Sequence, residues 1–190
     1  MLPARTLVFL SVRGTGLVDC VIASPPYLSA VNYYRRHQLE MFWLGLTGTS
    51  AERLQLMPRY LGRDRVARRD LETGYETHGT ATSRRWLAEL TPIEPERAHA
   101  FIHYCAGMAE AFARLAEVTR ASRAIITVVG DVTFNKRPIS MSGLLAELAR
   151  PWLDLSARFW YSINNRYMSY ERRNGASIET DHVLVFRSRG

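Results

Sequence analysis

Cysteine and lysine are scarce in this sequence of 190 residues, and it contains no long uncharged apolar run. Two cysteines, Cys20 and Cys105, exclude a disulfide framework and a four-cysteine zinc site, and we expect both thiols to be small core residues in a reducing compartment. No segment approaches the roughly 20 apolar residues of a membrane span, and residues 1–12 include Arg5 and no persuasive cleavage site. We therefore expect a soluble, cytoplasmic protein with no membrane partner.

Arginine almost completely replaces lysine, since Lys136 is the one lysine among 25 basic residues. The net charge of +7 favours a polyanionic partner such as DNA, and the planar guanidinium suits phosphates, although genome composition explains an arginine bias equally well. In a nucleic-acid clamp the densest basic segment would contact phosphates, whereas a solvated surface partly neutralised by Asp64, Asp70 and Glu72 explains the same pattern. The basic segment contributes Arg59, Arg63, Arg65, Arg68, Arg69, Arg84 and Arg85.

Alternating strand and helix patterns predict an α/β fold. Apolar runs predict strands over residues 18–23, 123–131, 158–164 and 182–188. Their order along the chain is typical of a mainly parallel sheet with helices on both faces and a C-terminal antiparallel hairpin, which we expect to turn at Asn174 and Gly175. A chain of this length predicts a single domain, in which the turn-rich residues 47–95 form a basic insertion or lobe.

Three helices are predicted from periodicity and capping residues. The first begins near Ser29 and ends at Gly45, because serine favours helix N-caps and glycine favours helix C-termini. The second is long, begins after Pro95 and carries a buried apolar stripe. The third begins near Met141 and is stopped by Pro151. On the second helix His99 and His103 stand four residues apart, but no third ligand is evident, so we predict a structural role for them and no metal.

Two segments follow predicted strands at the edge of the sheet where ligands bind in open α/β folds. The first is Ser24-Pro25-Pro26-Tyr27. The prolines fix the backbone, so the carbonyl groups of Ser24 and Pro25 are held rigidly beside a hydroxyl and an aromatic ring. This set suits a planar molecule that is held by its face while acceptors orient an exocyclic amine.

The second segment begins where the strand over residues 123–131 ends. It supplies Gly130, Asp131, Asn135 and Lys136, which we expect to line the same crevice. Contact with substrate or phosphate and a role as a polar, solvated loop are equally consistent with these residues.

The residues "SPPY" at a strand end resemble the catalytic motif of the amino-group DNA methyltransferases, which use S-adenosylmethionine to methylate cytosine N4 or adenine N6. The similarity extends through "LSAVNYYRRHQLEMFWLG", the strand ending in "VVGD" and the final "HVLVFRS". The resemblance implies a partial Rossmann-like class I methyltransferase sheet, and the serine form of the motif favours N4-cytosine over N6-adenine.

The resemblance also implies a mechanism with Ser24, Pro25, Pro26 and Tyr27 as catalytic residues. The target base would be flipped out of the duplex and stacked on Tyr27, which contributes about 1 to 3 kcal/mol. The Ser24 hydroxyl and the Pro25 carbonyl would accept hydrogen bonds from the amine, so that positioning supplies most of the rate.

One motif of the family is missing, namely the glycine-rich Asp-Pro-Phe-x-Gly-x-Gly loop that binds the cofactor at a helix N-terminus. The only candidate, Gly14-Thr15-Gly16, lies one residue before a strand and leaves no room for that helix. We therefore expect a catalytic half whose cofactor half is lost or is supplied by a second polypeptide. The alternatives are a non-catalytic nucleic-acid-binding remnant, an RNA amino-group methyltransferase, and a structural turn with Tyr27 in the core.

Overall fold

The structure is a computed structural model that describes residues 16–29, 33–67, 79–134, 137–163 and 180–189. The chain divides into two compact units. The described part of the first unit is residues 28–29, 33–67 and 79–107, which includes most of the predicted lobe over residues 47–95. The described part of the second unit is residues 16–27, 108–134, 137–163 and 180–189.

The first unit is helical. Its described elements are α1 (Tyr33–Arg36), α2 (Gln38–Trp43), α3 (Ser50–Leu56), a 3-10 turn (Met57–Arg59), α4 (Ala81–Leu90) and the first part of α5 (Pro95–Val118). Threonine side chains start two of these helices: Thr49 accepts a hydrogen bond from the Glu52 amide, and Thr80 forms a capping box with Ser83.

The helix predicted between Ser29 and Gly45 is replaced, in its described part, by the short helices α1 and α2. Ser29 has a left-handed φ of 56°, which is not the extended conformation of a helix N-cap. The predicted end at Gly45 is confirmed, since Gly45 has a φ of +65°. The Gly45 amide donates to the Phe42 carbonyl, and the Leu46 amide donates to the Met41 carbonyl. This pair of bonds is a Schellman motif, which requires the left-handed conformation that glycine adopts readily.

The predicted long helix is confirmed as α5, which is 24 residues long and buries its apolar stripe. Cys105 on this helix is buried, as expected, and burial raises the pKa of its thiol. Within the described part of the chain, no helix combines the length and apolarity needed to cross a membrane.

The second unit contains a mixed sheet of four strands. These are β1 (Val18–Ala23), β2 (Thr119–Gly130), β5 (Leu153–Ser162) and β6 (Thr180–Ser188), in the spatial order β1-β2-β6-β5. A separate antiparallel pair, β3 (Val132–Phe134) with β4 (Arg137–Ile139), precedes α6 (Met141–Ala149). All four predicted strands are present, and β1 has the predicted bounds.

The prediction of a mainly parallel sheet is wrong for the described strands. Only β1 and β2 pair in parallel, and β6 is antiparallel to both β2 and β5. The physical reason is the position of the hairpin: β5 and β6 are antiparallel neighbours, as predicted, but β6 lies between β5 and β2. The strand β6 therefore forms two antiparallel ladders. If β5 were the neighbour of β2 instead, those two strands would pair in parallel. The predicted turn residues Asn174 and Gly175 lie outside the described residues.

One face of the sheet, which we call the covered face, is buried over β2 and β6, whereas Arg158 and Trp160 of the edge strand β5 are exposed on it. Leu184 and Phe186 of β6 are fully buried there, and the Phe186 ring lies 5.5 Å from the ring of Phe112 on α5. The Ser188 hydroxyl donates to the Ala116 carbonyl of the same helix. The helix α6 packs against β2, β5 and β6.

The opposite face of the sheet, which we call the open face, is not covered by α5 or α6, although we predicted helices on both faces. Both helices that return the chain between its strands, α5 and α6, pack on the buried side, so the other side keeps exposed residues. Cys20, expected in the core, is exposed there. By strand register the open face consists of Cys20, Ile22, Ala124, Ile126, Val128, Ala157, Phe159, Tyr161, Asp181, Val183, Val185 and Arg187.

Candidate active site at the carboxyl edge of the sheet

Four chain segments meet at one edge of the sheet. Because β1 and β2 are parallel, the Ser24–Tyr27 segment and Asp131 leave the sheet at the same edge. The antiparallel strand β6 begins there, with Asp181 opposite Gly130 on β2 and opposite Tyr161 on β5. The prediction that the two motif-bearing strands end at the same edge is therefore confirmed.

The proline elbow starts directly after β1, which ends at Ala23. Pro25 and Pro26 are half-buried, and neither has an amide proton for a further ladder bond. The exposed Ser24 hydroxyl donates to the Val128 carbonyl at 3.4 Å. The Ser24 oxygen also has lone pairs that can accept hydrogen bonds.

The Tyr27 side chain reaches across the end of β2. Its hydroxyl donates to Asp181 Oδ1 at 3.0 Å, although β2 separates β1 from β6. Neighbouring strands lie about 4.8 Å apart, so residues 24–27 and the Tyr27 side chain together span the carboxyl end of β2, where Gly130 is the last residue. Burial raises the pKa of Tyr27; the hydrogen bond with Ser24 lowers it in part, and the Asp181 carboxylate raises it further. Tyr27 is therefore a neutral, anchored, half-buried ring.

Asp181 binds a second phenol. The Tyr161 hydroxyl donates to Asp181 Oδ2 at 3.1 Å, so each carboxylate oxygen accepts one tyrosine hydroxyl. Burial and the negative charge of Asp181 raise the pKa of Tyr161. The carboxylate thus ties β1 and β5 to β6 at this edge.

Asp131 also connects two elements. Its Oδ1 accepts the Met141 amide at 2.9 Å in the first turn of α6, and its Oδ2 lies 3.2 Å from His182 Nε2. The His182 side chain is 15% exposed, and its Nδ1 has no hydrogen-bond partner among the described residues. When the neutral ring donates from Nε2 to Asp131, Nδ1 is an acceptor. Of the four residues predicted to line the pocket, Gly130 and Asp131 lie at this edge, and Asn135 and Lys136 lie outside the described residues.

The predicted nucleic-acid residues all belong to the first unit. Arg63 is only 6% exposed, so burial removes it from the surface. Arg65 is exposed and pairs with Glu96 at 3.5 Å. Arg84 and Arg85 are exposed on α4, and the Arg85 guanidinium lies 5.9 Å from the Trp86 ring centroid. The side chain of Arg59 and the whole of Arg68 and Arg69 lie outside the described residues.

The two histidines of α5 contact backbone carbonyl groups. His99 Nδ1 lies 3.3 Å from the Val66 carbonyl, and His103 Nε2 lies 3.2 Å from the Pro58 carbonyl. Both contacts match the predicted structural role. Across the described ranges, no group of three or more His, Cys, Asp or Glu side chains could hold a metal ion.

Gly16 is the described end of the candidate cofactor loop, and its amide already forms a hydrogen bond. This amide donates to the Glu117 carbonyl at 2.9 Å, and the Leu17 amide donates to the Val118 carbonyl at 2.8 Å, both at the end of α5. The strand β1 begins just after these two residues, so no helix follows Gly16. These two amides are therefore not free for a cofactor, and Gly14 and Thr15 lie outside the described residues.

Comparison with protein-family models, with curated proteins and with solved structures finds no match for this chain. The interpretation of the site therefore depends on its geometry.

Sequence reasoning missed three residues of the site, namely Tyr161, Asp181 and His182. In the sequence alone, His182 is an isolated histidine. Their position follows from the strand order: the first residues of an antiparallel strand lie beside the last residues of its neighbour. The signal that could have found them is the polar start of the final strand, Thr180-Asp181-His182, once that strand is paired with β2.

Proposed function

We propose that this chain is the catalytic part of an S-adenosylmethionine-dependent enzyme that methylates an exocyclic amino group of a DNA base, with cytosine N4 favoured over adenine N6. The observation that carries the proposal is the anchored Tyr27 ring beside the Ser24 acceptor at the rigid end of β1. The resemblance of Ser24-Pro25-Pro26-Tyr27 to the family motif supplies the chemistry.

In this proposal the chain positions the base. Tyr27 stacks on the flipped base, and its hydroxyl bond to Asp181 restricts the ring to one orientation. The Ser24 oxygen and the Pro25 carbonyl accept hydrogen bonds from the two amine N–H groups and so orient the amine nitrogen towards the methyl donor. No covalent enzyme intermediate is needed, which agrees with a site that offers acceptors and a ring.

The described end of the candidate cofactor loop offers no free amide, because the Gly16 and Leu17 amides donate to carbonyl groups of α5. We therefore propose that a second polypeptide supplies the half of the enzyme that binds S-adenosylmethionine, the methyl donor. The same observation favours a second candidate function, a non-catalytic nucleic-acid-binding remnant without cofactor affinity.

A methyl-transfer assay tests the proposal. The chain, alone and with the product of the neighbouring upstream reading frame, is incubated with labelled S-adenosylmethionine and duplex DNA. We expect label in DNA, abolished by Tyr27→Ala and reduced less by Tyr27→Phe, which keeps the stacking ring. Tyr60→Phe, a tyrosine of the first unit, is the matched control and should leave incorporation unchanged.

Other acceptors and calorimetry separate the alternatives. Incorporation into tRNA but not DNA would assign the RNA variant of the activity. Micromolar binding of S-adenosylmethionine by the chain alone would exclude the remnant. Absence of incorporation into any acceptor, with the second polypeptide present, would contradict methyl transfer altogether.

A further inference from the structure

The open face of the sheet carries apolar side chains on all four strands. Ile22 on β1 is 74% exposed and Phe159 on β5 is 58% exposed, while Val128, Val183 and Val185 between them are partly exposed. Four strands and about six residues per strand make a face of about 19 Å by 20 Å. A contiguous apolar patch of that size marks an interaction site.

Strand β6 runs through the middle of this face with a charge pattern that complements itself. Its outward residues are Asp181, Val183, Val185 and Arg187, with opposite charges at the two ends. A second β6 stacked above in the reverse direction places Asp181 over Arg187 at both ends and valine over valine between them. A second β6 in the same direction would stack like charges, so the charges select the reversed arrangement.

The sizes of the side chains on the neighbouring strand β5 agree with the same arrangement. Phe159 lies opposite Val183 and Ala157 lies opposite Val185. Reversal about a two-fold axis that crosses the strands between these two levels stacks the large Phe159 on the small Ala157. Two sheets that interdigitate in this way pack about 10 Å apart.

We propose that the open face joins two copies of this chain into a two-fold symmetric dimer, sheet on sheet, with Asp181–Arg187 ion pairs at both ends of β6. A two-fold interface uses the same patch on both subunits, and this patch is self-complementary in charge and size. The dimer places Arg187 of one copy beside the carboxylate that anchors Tyr27 in the other. The proposal is independent of methyl transfer, because it depends only on the sheet.

Sedimentation equilibrium of the full chain at micromolar concentration tests the proposal, and the expected mass is that of two chains. Arg187→Glu creates a like-charge pair at each end of β6 and should weaken the dimer at least about tenfold. Arg123→Glu is the matched control, since Arg123 is exposed at the same end of the sheet on the covered-face side of β2. It should leave the dimer unchanged, and circular dichroism verifies that both variants are folded.

A charge exchange gives a second test. Asp181→Arg alone should separate the subunits, and Asp181→Arg combined with Arg187→Asp should restore the two-chain mass. The proposal is overturned by a one-chain mass for the unmodified protein, in which case the face serves a different polypeptide or none. It is also overturned if Arg187→Glu and Arg123→Glu affect the dimer equally. Because Asp181 also accepts the Tyr27 and Tyr161 hydroxyls, circular dichroism verifies that the exchange variant is folded, and a folded exchange variant that restores nothing overturns the proposal as well.

Discussion

The Tyr27 hydroxyl and the Asp181 carboxylate form the contact on which the candidate site depends. Tyr27→Phe keeps the ring and removes this bond, so we expect the free energy of unfolding at neutral pH to fall by about 1 kcal/mol. Urea unfolding monitored by circular dichroism measures the loss. Tyr161→Phe, which removes the more exposed phenol bond to the same carboxylate, should lower stability less. An equal or larger loss in Tyr161→Phe would contradict the assignment of Tyr27 as the anchored ring.

The raised pKa of Tyr27 adds a pH dependence to this prediction. A phenol whose pKa is higher in the folded state contributes stability below its ordinary pKa of 10, and that stability is lost as the pH rises towards the folded value. Unfolding free energies above pH 10 should therefore decline more steeply in the unmodified protein than in Tyr27→Phe. Parallel curves for the two proteins would show that this phenol is not protected from ionisation.

At the residue scale, the sequence predicts those parts of the site that are local in the chain. Ser24 and Tyr27 are recognisable because two prolines follow an apolar run, and Asp131 is recognisable because it ends a second run. Asp181 and Tyr161 are not recognisable in this way. Their role depends on which strands are neighbours, and no local pattern states that β6 lies between β2 and β5.

The element scale is illustrated by α5, whose Gly107 faces Leu61 within the first unit. A Cβ at Gly107 would overlap the side-chain methyl carbons of Leu61, which is 5% exposed. Gly107→Ala should therefore destabilise the chain by about 1 to 2 kcal/mol, since overpacking outweighs the gain in helix propensity. Thermal or urea unfolding measures this. In the double variant with Leu61→Ala, the alanine methyl has room, so the loss should be smaller than the sum of the two single losses. Additive losses would contradict the packing of Gly107 against Leu61.

Elements with a strong period are the ones that the sequence predicts well. The apolar stripe defines α5, and the apolar run with its flanking turn residues defines β1. The helix predicted between Ser29 and Gly45 is present in its described part as α1 and α2, separated at His37, and Ser29 is not its cap because the serine backbone is left-handed rather than extended. The strand β2 begins at Thr119 rather than at residue 123, because polar residues at the amino end of a strand still form ladder bonds.

At the scale of the whole molecule, the alternation of strand and helix patterns predicts the class α/β but not the arrangement of its layers. The alternation of strands and helices is the same whether β5 or β6 lies next to β2, so the sequence could not distinguish a mainly parallel sheet from the mixed sheet. The sequence could not predict the open face for a similar reason. The continuous apolar run over residues 183–186 of β6 indicates two apolar faces, yet only the positions of α5 and α6 decide which face is buried.

The net charge of +7 is also a property of the whole molecule, and it makes a prediction about nucleic-acid binding. If arginines of α4 bind phosphates, the logarithm of the DNA association constant falls linearly with the logarithm of salt concentration. Arg84→Gln with Arg85→Gln should then reduce the slope by about 0.9 for each phosphate that the variant no longer neutralises. Fluorescence anisotropy with a labelled duplex measures the slopes.

The control variant Arg114→Gln with Arg189→Gln removes the same charge. These arginines already pair with Glu117 and Asp154, so the control should change the slope less. Equal changes in the two double variants would show that binding responds to net charge alone and would remove α4 from the proposed DNA interface.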